Sequence, residues 1–311
     1  MPGAEMTTPR VSIVTSTYNR SNVLRFTIES VLASTVADWE MIIVGDACTD
    51  DTAHVVASFG DSRISFVNLP VNSGEQATPN NEGVRRARGE YVAFLNHDDL
   101  WTPDHLATCL DAIGEGDFVS TLTLVIDHHD VAHLAGVTKN REYAPELFVP
   151  ASSWMLRRTF ADQVGPWRPA RELFFAPSQE WLFRAWKQGH RLPSVAKTTV
   201  IAVFSGQRKH AYAERHEAEQ ARYLELLRSD PLFLQRMLEE VASRLTLEVN
   251  AATPLRHFNR AVKALVRRAT LSAGVHPHSL RNAVLFRRRG AFLDSLRRNR
   301  GLTPLPRRRT T

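Results

Sequence analysis

Four short apolar runs recur in the first third of the chain, each closed by polar turn residues and followed by a stretch of helical period. They are Val11 to Ser16, Trp39 to Val44, Ile64 to Leu69 and the run that opens at Tyr91. After the first, Leu24, Ile28, Val31 and Leu32 fall on one helix face, with Ser21 or Asn19 placed to cap it. After the second, Asp50-Asp51-Thr52 opens a helix with acids in its first turn, where the helix dipole favours them. After the third come the turn formers Asn72-Ser73-Gly74 and Pro79-Asn80-Asn81, then a helix through Val84 to Arg88. Strands alternating with short helices require crossover connections. The chain is therefore predicted to be an α/β protein with a mostly parallel sheet flanked by helices.

In such a sheet ligands bind beyond the carboxyl ends of the strands. The polar closures bring Thr17, Asp46 and Asp98 to that one edge. The fourth run ends Asn96-His97-Asp98-Asp99, and two adjacent acids suit a hard cation, Mg²⁺ or Mn²⁺, carrying a diphosphate. An acid after the second strand, Asp46, can accept from a base or a sugar hydroxyl. No Gly-x-Gly-x-x-Gly, phosphate-loop Gly-Lys-Ser/Thr or Gly-x-Ser-x-Gly motif is present, so a dehydrogenase, a P-loop ATPase and an α/β-hydrolase lose their leading signatures. A nucleotide diphosphate lying across the sheet edge is the ligand these acids describe.

Several ordered motifs resemble glycosyltransferase family 2, the inverting, metal-dependent enzymes of the Rossmann-like GT-A fold. Val-Ser-Ile-Val-Thr-Ser-Thr-Tyr-Asn-Arg, residues 11 to 20, is similar to the family's first strand and turn. Val44 to Asp50 is similar to its Val-Asp-Asp-Gly-Ser-Thr-Asp, with Gly45 in place of the first acid. Gly89 to Asp99 resembles Gly-Glu-Tyr-Ile-x-Phe-Leu-Asp-x-Asp-Asp, with Asn96 in place of the first Asp. Ser178 to Arg184 resembles Ser-Glu-Asp-Tyr-Asp-Leu, and the likeness spans roughly residues 10 to 210.

The resemblance implies a transferase that moves a sugar from a nucleotide-diphosphate donor, a UDP-sugar first, to an acceptor hydroxyl with inversion. Ser16, Thr17 and Tyr18 would line the base pocket, Asp46 would contact the base, and Asp98 the ribose or the metal. Asp99 would be the principal metal ligand and His210, with His216 as a fallback, the third. Glu180 would be the general base, desolvated by Trp181 and Trp186. The acceptor would be a saccharide or a lipid-linked sugar. Two other classes compete: a nucleotidyltransferase, disfavoured because Ser16 to Ser21 holds no glycine, and a non-catalytic nucleotide-sugar binding protein, hinted at by Gly45 and Asn96.

The remaining segments organise around this unit. Asp127-His128-His129-Asp130 with His133 reads as a solvated loop and not a metal site, since no helical period follows. The expected division is an unstructured 1–9, a GT-A domain over 10–212, a helical cover over 213–252 and a basic amphipathic tail over 253–311. Asp230-Pro231 marks a helix start within the cover. From Pro254 onward the chain holds fifteen Lys or Arg against one acid, Asp294, which leaves 24 bases against 32 acids on the first 253 residues. The tail's apolar faces, Leu255, Phe258, Val262 and Leu265, then Val284 to Leu296, are flanked by arginine and suit an anionic membrane surface. No nucleic-acid reader motif accompanies the charge. A homodimer contact through the helical cover is the other expectation. No apolar run is long enough to span a bilayer, no secretory signal opens the chain, and Cys48 and Cys109 form no disulfide framework. A reduced cytoplasmic setting, peripheral at the inner face of the membrane, is expected.

Overall fold

Each of the four apolar runs is a strand. β1 (Val11–Thr17), β2 (Trp39–Gly45), β3 (Ile64–Asn68) and β4 (Tyr91–Phe94) alternate with α1 (Ser21–Leu32), α2 (Thr52–Ser58) and α3 (Ala77–Arg86). They lie in the order β3-β2-β1-β4, all parallel. The computed structural model describes residues 8–127, 129–203, 209–250 and 254–305. Most of the expected unstructured N-terminus, the last residues of the tail, His128, Phe204 and Arg208 lie outside the described residues.

The side-chain period of two sorts these strands onto two cores. Ile13 of β1, Met41 and Ile43 of β2 and Ala93 of β4 pack with Leu24, Ile28 and Val31 of α1. Their neighbours Val14, Ile42, Val44, Val92 and Phe94 face the other way. The strands therefore read as continuous apolar runs because both faces are covered. At roughly 1.5–3 kcal/mol for each fully buried branched side chain, a register slip of one residue would still bury apolar groups. Polar braces hold the register instead. Glu40 accepts hydrogen bonds from Ser12 Oγ (2.7 Å), Arg88 N (2.8 Å) and Arg88 Nε (2.9 Å), while Gly89 N donates to Ser12 Oγ at 2.8 Å. A Cβ on Gly89 would lie 2.7 Å from Ser12 N, so the turn before β4 admits only glycine.

Beyond β4 the sheet turns mixed. β5 (Asp99–Trp101), α4 (His105–Ile113), β6 (Phe118–Ile126), β7 (Ala132–Ala135), β8 (Trp154–Arg157), α5 (Arg158–Val164), α6 (Pro177–Lys187) and β9 (Ser194–Val203) follow in chain order. The order continues β4-β8-β6-β9-β5, with β7 on β6. Only β6 and β9 pair in parallel in this half. Asp99 opens β5 and pairs opposite Ala202 of β9, so the two acids expected together in one turn straddle a strand boundary. Trp101 is core, stacked on His105 at 4.1 Å between ring centres. Two helix starts differ from expectation. Asn19 and Ser21 do not cap α1; Asp50 does so from across the loop, accepting from Ser21 N at 3.3 Å. The helix expected at Asp230-Pro231 begins two residues later, at Phe233, after Asp230 accepts from Leu232 N at 3.1 Å.

From residue 211 on, the described chain is helical: α7 (Ala211–Glu214), α8 (Ala218–Ser229), α9 (Phe233–Asn250), α10 (Pro254–Ser272), α11 (Pro277–Phe286) and α12 (Ala291–Asn299). Tyr223 and Leu224 of α8 with Phe233 and Val241 of α9 close a third apolar cluster on β5, β6 and β9. The basic tail lies against the body. Arg267 pairs with Glu146 at 3.0 Å, Phe175 stacks with His276 and His278, and Asn282 Nδ2 donates to Phe174 O at 2.8 Å. The second expected amphipathic piece is two helices, broken by the left-handed residues Arg287 and Gly290. The side chains of residues 254–261, which include Leu255 and Phe258, lie outside the described ones.

Close packing of α3 on β1 depends on Gly83, where a Cβ would lie 2.3 Å from Val14 Cγ1. Gly83→Ala is expected to cost about 1–3 kcal/mol in a denaturant titration. Adding Val14→Ala should recover part of that loss, since the two sites share one space.

Candidate active site at the carboxyl edge

The parallel register sets β1 and β2 flush, Thr17 opposite Gly45, and the next residue continues the ladder, Asp46 N donating to Thr17 O at 2.8 Å. Asp46 is 3 % exposed. Its carboxylate accepts from Ser73 N and Gly74 N, both at 2.8 Å, and its carbonyl from Asn72 Nδ2 at 2.7 Å. Burial raises its pKa, and the two loop N–H groups with Arg297 offset part of that rise. Asp46 thus binds the Asn72 loop to the end of β2. Asn19, left-handed, does the same for the neighbouring turn, accepting from Thr49 N at 2.8 Å and Asp50 N at 3.3 Å. Both departures from the family pattern have physical reasons. A Cβ on Gly45 would lie 2.6 Å from Asn68 Oδ1, which leaves no room for an acid there.

The second departure, Asn96, supports the acids. Its Nδ2 donates to Asp99 Oδ2 at 2.8 Å, and Ser152 Oγ donates to the same oxygen. An ionised aspartate at 96 would offer no N–H to that oxygen and would add a like charge beside it. Asp99 is buried, and its pKa is pushed up to about 7, first by burial and then by the charge of Asp98. Asp98 is half-buried. His97 Nδ1 lies 3.1 Å from Ser16 O, which can only accept, so that nitrogen carries the hydrogen. Burial lowers the His97 pKa, the Asp98 charge works against this, and Arg20 and Arg300 add to it. Thr17 is buried and Ser16 and Tyr18 are half-buried at the same edge.

His210 is exposed, in a left-handed conformation, with its N–H donating to Asn299 O at 2.9 Å. Among the described residues no three acids, histidines or cysteines gather as a ligand cluster, so His210 does not join Asp98 and Asp99 here. His216 is paired with Glu214 at 2.7 Å. Asp127 takes His129 N and Val131 N into a tight turn between β6 and β7, as expected of a loop.

Glu180 sits in the first turn of α6, where Pro177 is preset for helix. Gln179 anchors that turn, its amide pairing both ways with the Val149 backbone, at 3.2 and 2.9 Å. Arg168 and Arg184 approach Glu180 Oε1 at 3.3 and 3.5 Å, while Oε2 is buried without a partner. Burial raises its pKa and the two guanidiniums oppose the rise. Trp181 is core, with Nε1 donating to Gly165 O at 2.8 Å. Trp186 is 36 % exposed and stacks on Phe183, so it belongs to the helix surface instead.

Three further groups at this edge were not singled out in the sequence. Glu75, its pKa raised to about 7 by burial and then by Asp46, accepts from Ala77 N at 2.8 Å. Arg20 stands in the Thr-Tyr-Asn-Arg turn, which could have pointed to it. Arg297 lies 223 residues beyond Gly74, to which it donates, and no local pattern marks such a partner.

Asp99 makes a pH prediction. Its folded-state pKa of about 7 stands above the ordinary 3.8, so the folded state holds the proton longer. Stability is therefore lost as pH rises from about 4 to about 7, by at most about 1.4 kcal/mol per pH unit for one group. Glu75 adds to the same slope. Asp99→Asn should flatten it relative to wild type in urea titrations across that window; parallel curves would refute the assignment.

The model of the family described as "Glycosyl transferase family 2" matches residues 12–172. TuaG of Bacillus subtilis (strain 168), a glycosyltransferase named for teichuronic acid biosynthesis, is 41% identical over 109 residues, 34% of this chain and 43% of that protein. WfgD of Escherichia coli, a UDP-Glc:alpha-D-GlcNAc-diphosphoundecaprenol beta-1,3-glucosyltransferase, is 35% identical over 96 residues, 31% of this chain and 38% of that one. The chain thus matches less than half the length of either relative. Among solved structures, S. aureus TarS 1-349 in complex with UDP-GlcNAc superposes with a TM-score of 0.55 at 18% identity, over 76% of this chain and 71% of that one. The Pyrobaculum calidifontis mannosyltransferase PcManGT, with GDP-Man and Mn2+, gives 0.54 at 16% identity, over 90% and 87%. At such identities the likeness is one of fold.

Proposed function

The chain belongs to glycosyl transferase family 2, whose model matches just over half of it, and on that premise we propose that it moves a sugar from a UDP-sugar to an acceptor hydroxyl with inversion. Its fold is GT-A. The observation that carries the proposal is the pair Asp98 and Asp99 past the carboxyl end of β4, tied to β1 by His97 Nδ1 at 3.1 Å from Ser16 O, with Asp99 driven toward neutrality first by burial and then by its neighbour's charge.

The donor set fits a hard cation. Two carboxylates pressed together in a desolvated corner are relieved by a divalent charge between them, and Mg²⁺ or Mn²⁺ takes such oxygens with phosphate completing the shell. Asp98 and Asp99 would hold the ion; donor oxygens and water take the remaining positions in preference to His210. When bound, the ion supplies Lewis-acid stabilisation of the departing diphosphate. Ser16, Thr17 and Tyr18 border the nucleoside, and Asp46 holds the loop beside it.

Glu180 is the base in this proposal. Its unpartnered Oε2 takes the acceptor's hydroxyl proton as the acceptor oxygen bonds to the anomeric carbon. The bond from that carbon to the diphosphate breaks, and the nucleoside diphosphate leaves with both electrons. Attack opposite the leaving group inverts the centre.

Incubation with UDP-sugars and Mn²⁺ tests the assignment. Wild type is expected to release UDP and Asp99→Ala to release none above background. Glu180→Gln should lower kcat about 10²–10⁴-fold with donor affinity little changed. Release of pyrophosphate from a nucleoside triphosphate would favour a nucleotidyltransferase. Binding without turnover across acceptors would favour a binding protein.

A lipid-linked acceptor is favoured by the tail's outward side. Leu265 is 71% and Val284 70% exposed, near the exposed Arg268, Arg281 and Arg287. No helix among the described residues is long and apolar enough to cross a membrane, so contact would be at the surface. Sedimentation with anionic vesicles should fall when Leu265 and Val284 become Ser together, and equal sedimentation would remove the membrane from the scheme.

A further inference from the structure

α12 runs in over the carboxyl edge. Arg297 Nη1 donates to Gly74 O and Arg297 Nε to Thr303 O at 2.7 Å, while Gly74 N donates in turn to Asp46. The helix is also tied to the segment at 210–212: His210 N donates to Asn299 O at 2.9 Å and Tyr212 N to Arg300 O at 3.3 Å. From the other side Arg20 Nη1 donates to Ala211 O at 2.6 Å, and its guanidinium carbon lies 5.1 Å from the centre of the Tyr212 ring. His97 meets the same ring edge-on, 6.5 Å between centres. The Tyr212 ring thus stands between the Arg20 guanidinium and His97, with its own backbone on Arg300, at the edge that carries Asp46, Asp98 and Asp99.

The donors there outnumber what they serve. Arg20 is 1 % exposed, yet its Nε and Nη2 are buried with no hydrogen-bond partner, and Arg300 Nε is in the same state. Asp46 is already engaged by loop N–H groups and Asp99 by Asn96 and Ser152. Buried charged donors without acceptors are costly until a partner arrives. Guanidinium forks match phosphate oxygens in geometry as well as charge.

We propose that Arg20 and Arg300 hold the diphosphate of the donor, with Arg297 as the positioning residue that fastens α12 over the site. The inference rests on the proposed function and deepens it: the C-terminal helix completes a donor site begun by the sheet. As the anomeric carbon–oxygen bond breaks, charge grows on the departing diphosphate, and these fixed guanidiniums are placed to receive it.

Titration calorimetry on the full chain with inorganic pyrophosphate, UDP and uridine, each with Mg²⁺, tests this. Wild type should bind pyrophosphate, and UDP more tightly than uridine. Arg300→Gln should lose about tenfold or more in affinity for pyrophosphate and UDP while uridine binds as before; Arg300→Lys should fall between. Arg298→Gln, exposed on the same helix, should match wild type. Without any variant, pyrophosphate should shield Arg300 and Arg20, and not Arg298, from phenylglyoxal. Equal weakening of uridine and UDP in Arg300→Gln, or unaltered pyrophosphate binding with no shielding, overturns the cradle and leaves the transferase proposal standing. Failure of wild type to bind any nucleotide diphosphate or pyrophosphate overturns both.

Discussion

The in-register pairing of β1 with β2 and β4 is the constraint on which the site depends. It sets the ends of β1 and β2 level, Thr17 opposite Gly45, and seats the end of β4 beside them, Phe94 opposite Val14, so residues separated by tens of positions share one edge. The hydrogen bond from Asp46 N to Thr17 O prolongs the ladder past the last strand residue, and the Asp46 carboxylate then captures the backbone of Ser73 and Gly74. A single acid thereby converts strand register into the position of a loop.

The same edge concentrates carboxylates where water is scarce. Asp99 and Glu75 each stand near neutrality, and in each case burial is the first cause and a neighbouring aspartate reinforces it. The two departures from the family pattern ease this crowding. Glycine at 45 removes an acid from a place with no room for one, and asparagine at 96 turns a potential repulsion into a donated hydrogen bond. The local charge is lower than in the common pattern.

The strand-helix alternation was legible because both faces of the sheet are covered, so apolar runs and their polar closures stand out in one dimension. Asp46 could be found the same way, since it follows directly on β2, and Asp98 and Asp99 because they stand in the polar closure between β4 and the start of β5. What escaped was everything fixed by tertiary contact. Asp50 caps α1 across a loop, whereas Asn19 and Ser21, the cap candidates beside the helix, bond elsewhere. His210 is picked out by its place in the order of motifs, while the partner of its N–H, Asn299 of α12, is one that no neighbouring residue announces. The arginine-rich tail looked like a surface feature from composition alone, because fifteen bases and one acid carry no hint of which carbonyl Arg297 will find.

The contact between Arg297 and Gly74 spans 223 residues of chain. Closing so long a loop is slow relative to the local pairing of the first four strands, and polypeptides are made from the N-terminal end. The sheet edge can therefore assemble on the ribosome well before the segment that covers it exists. During that interval the acids at the edge stand open to water, and the nascent chain is a half-built vessel whose final wall arrives with the last helix.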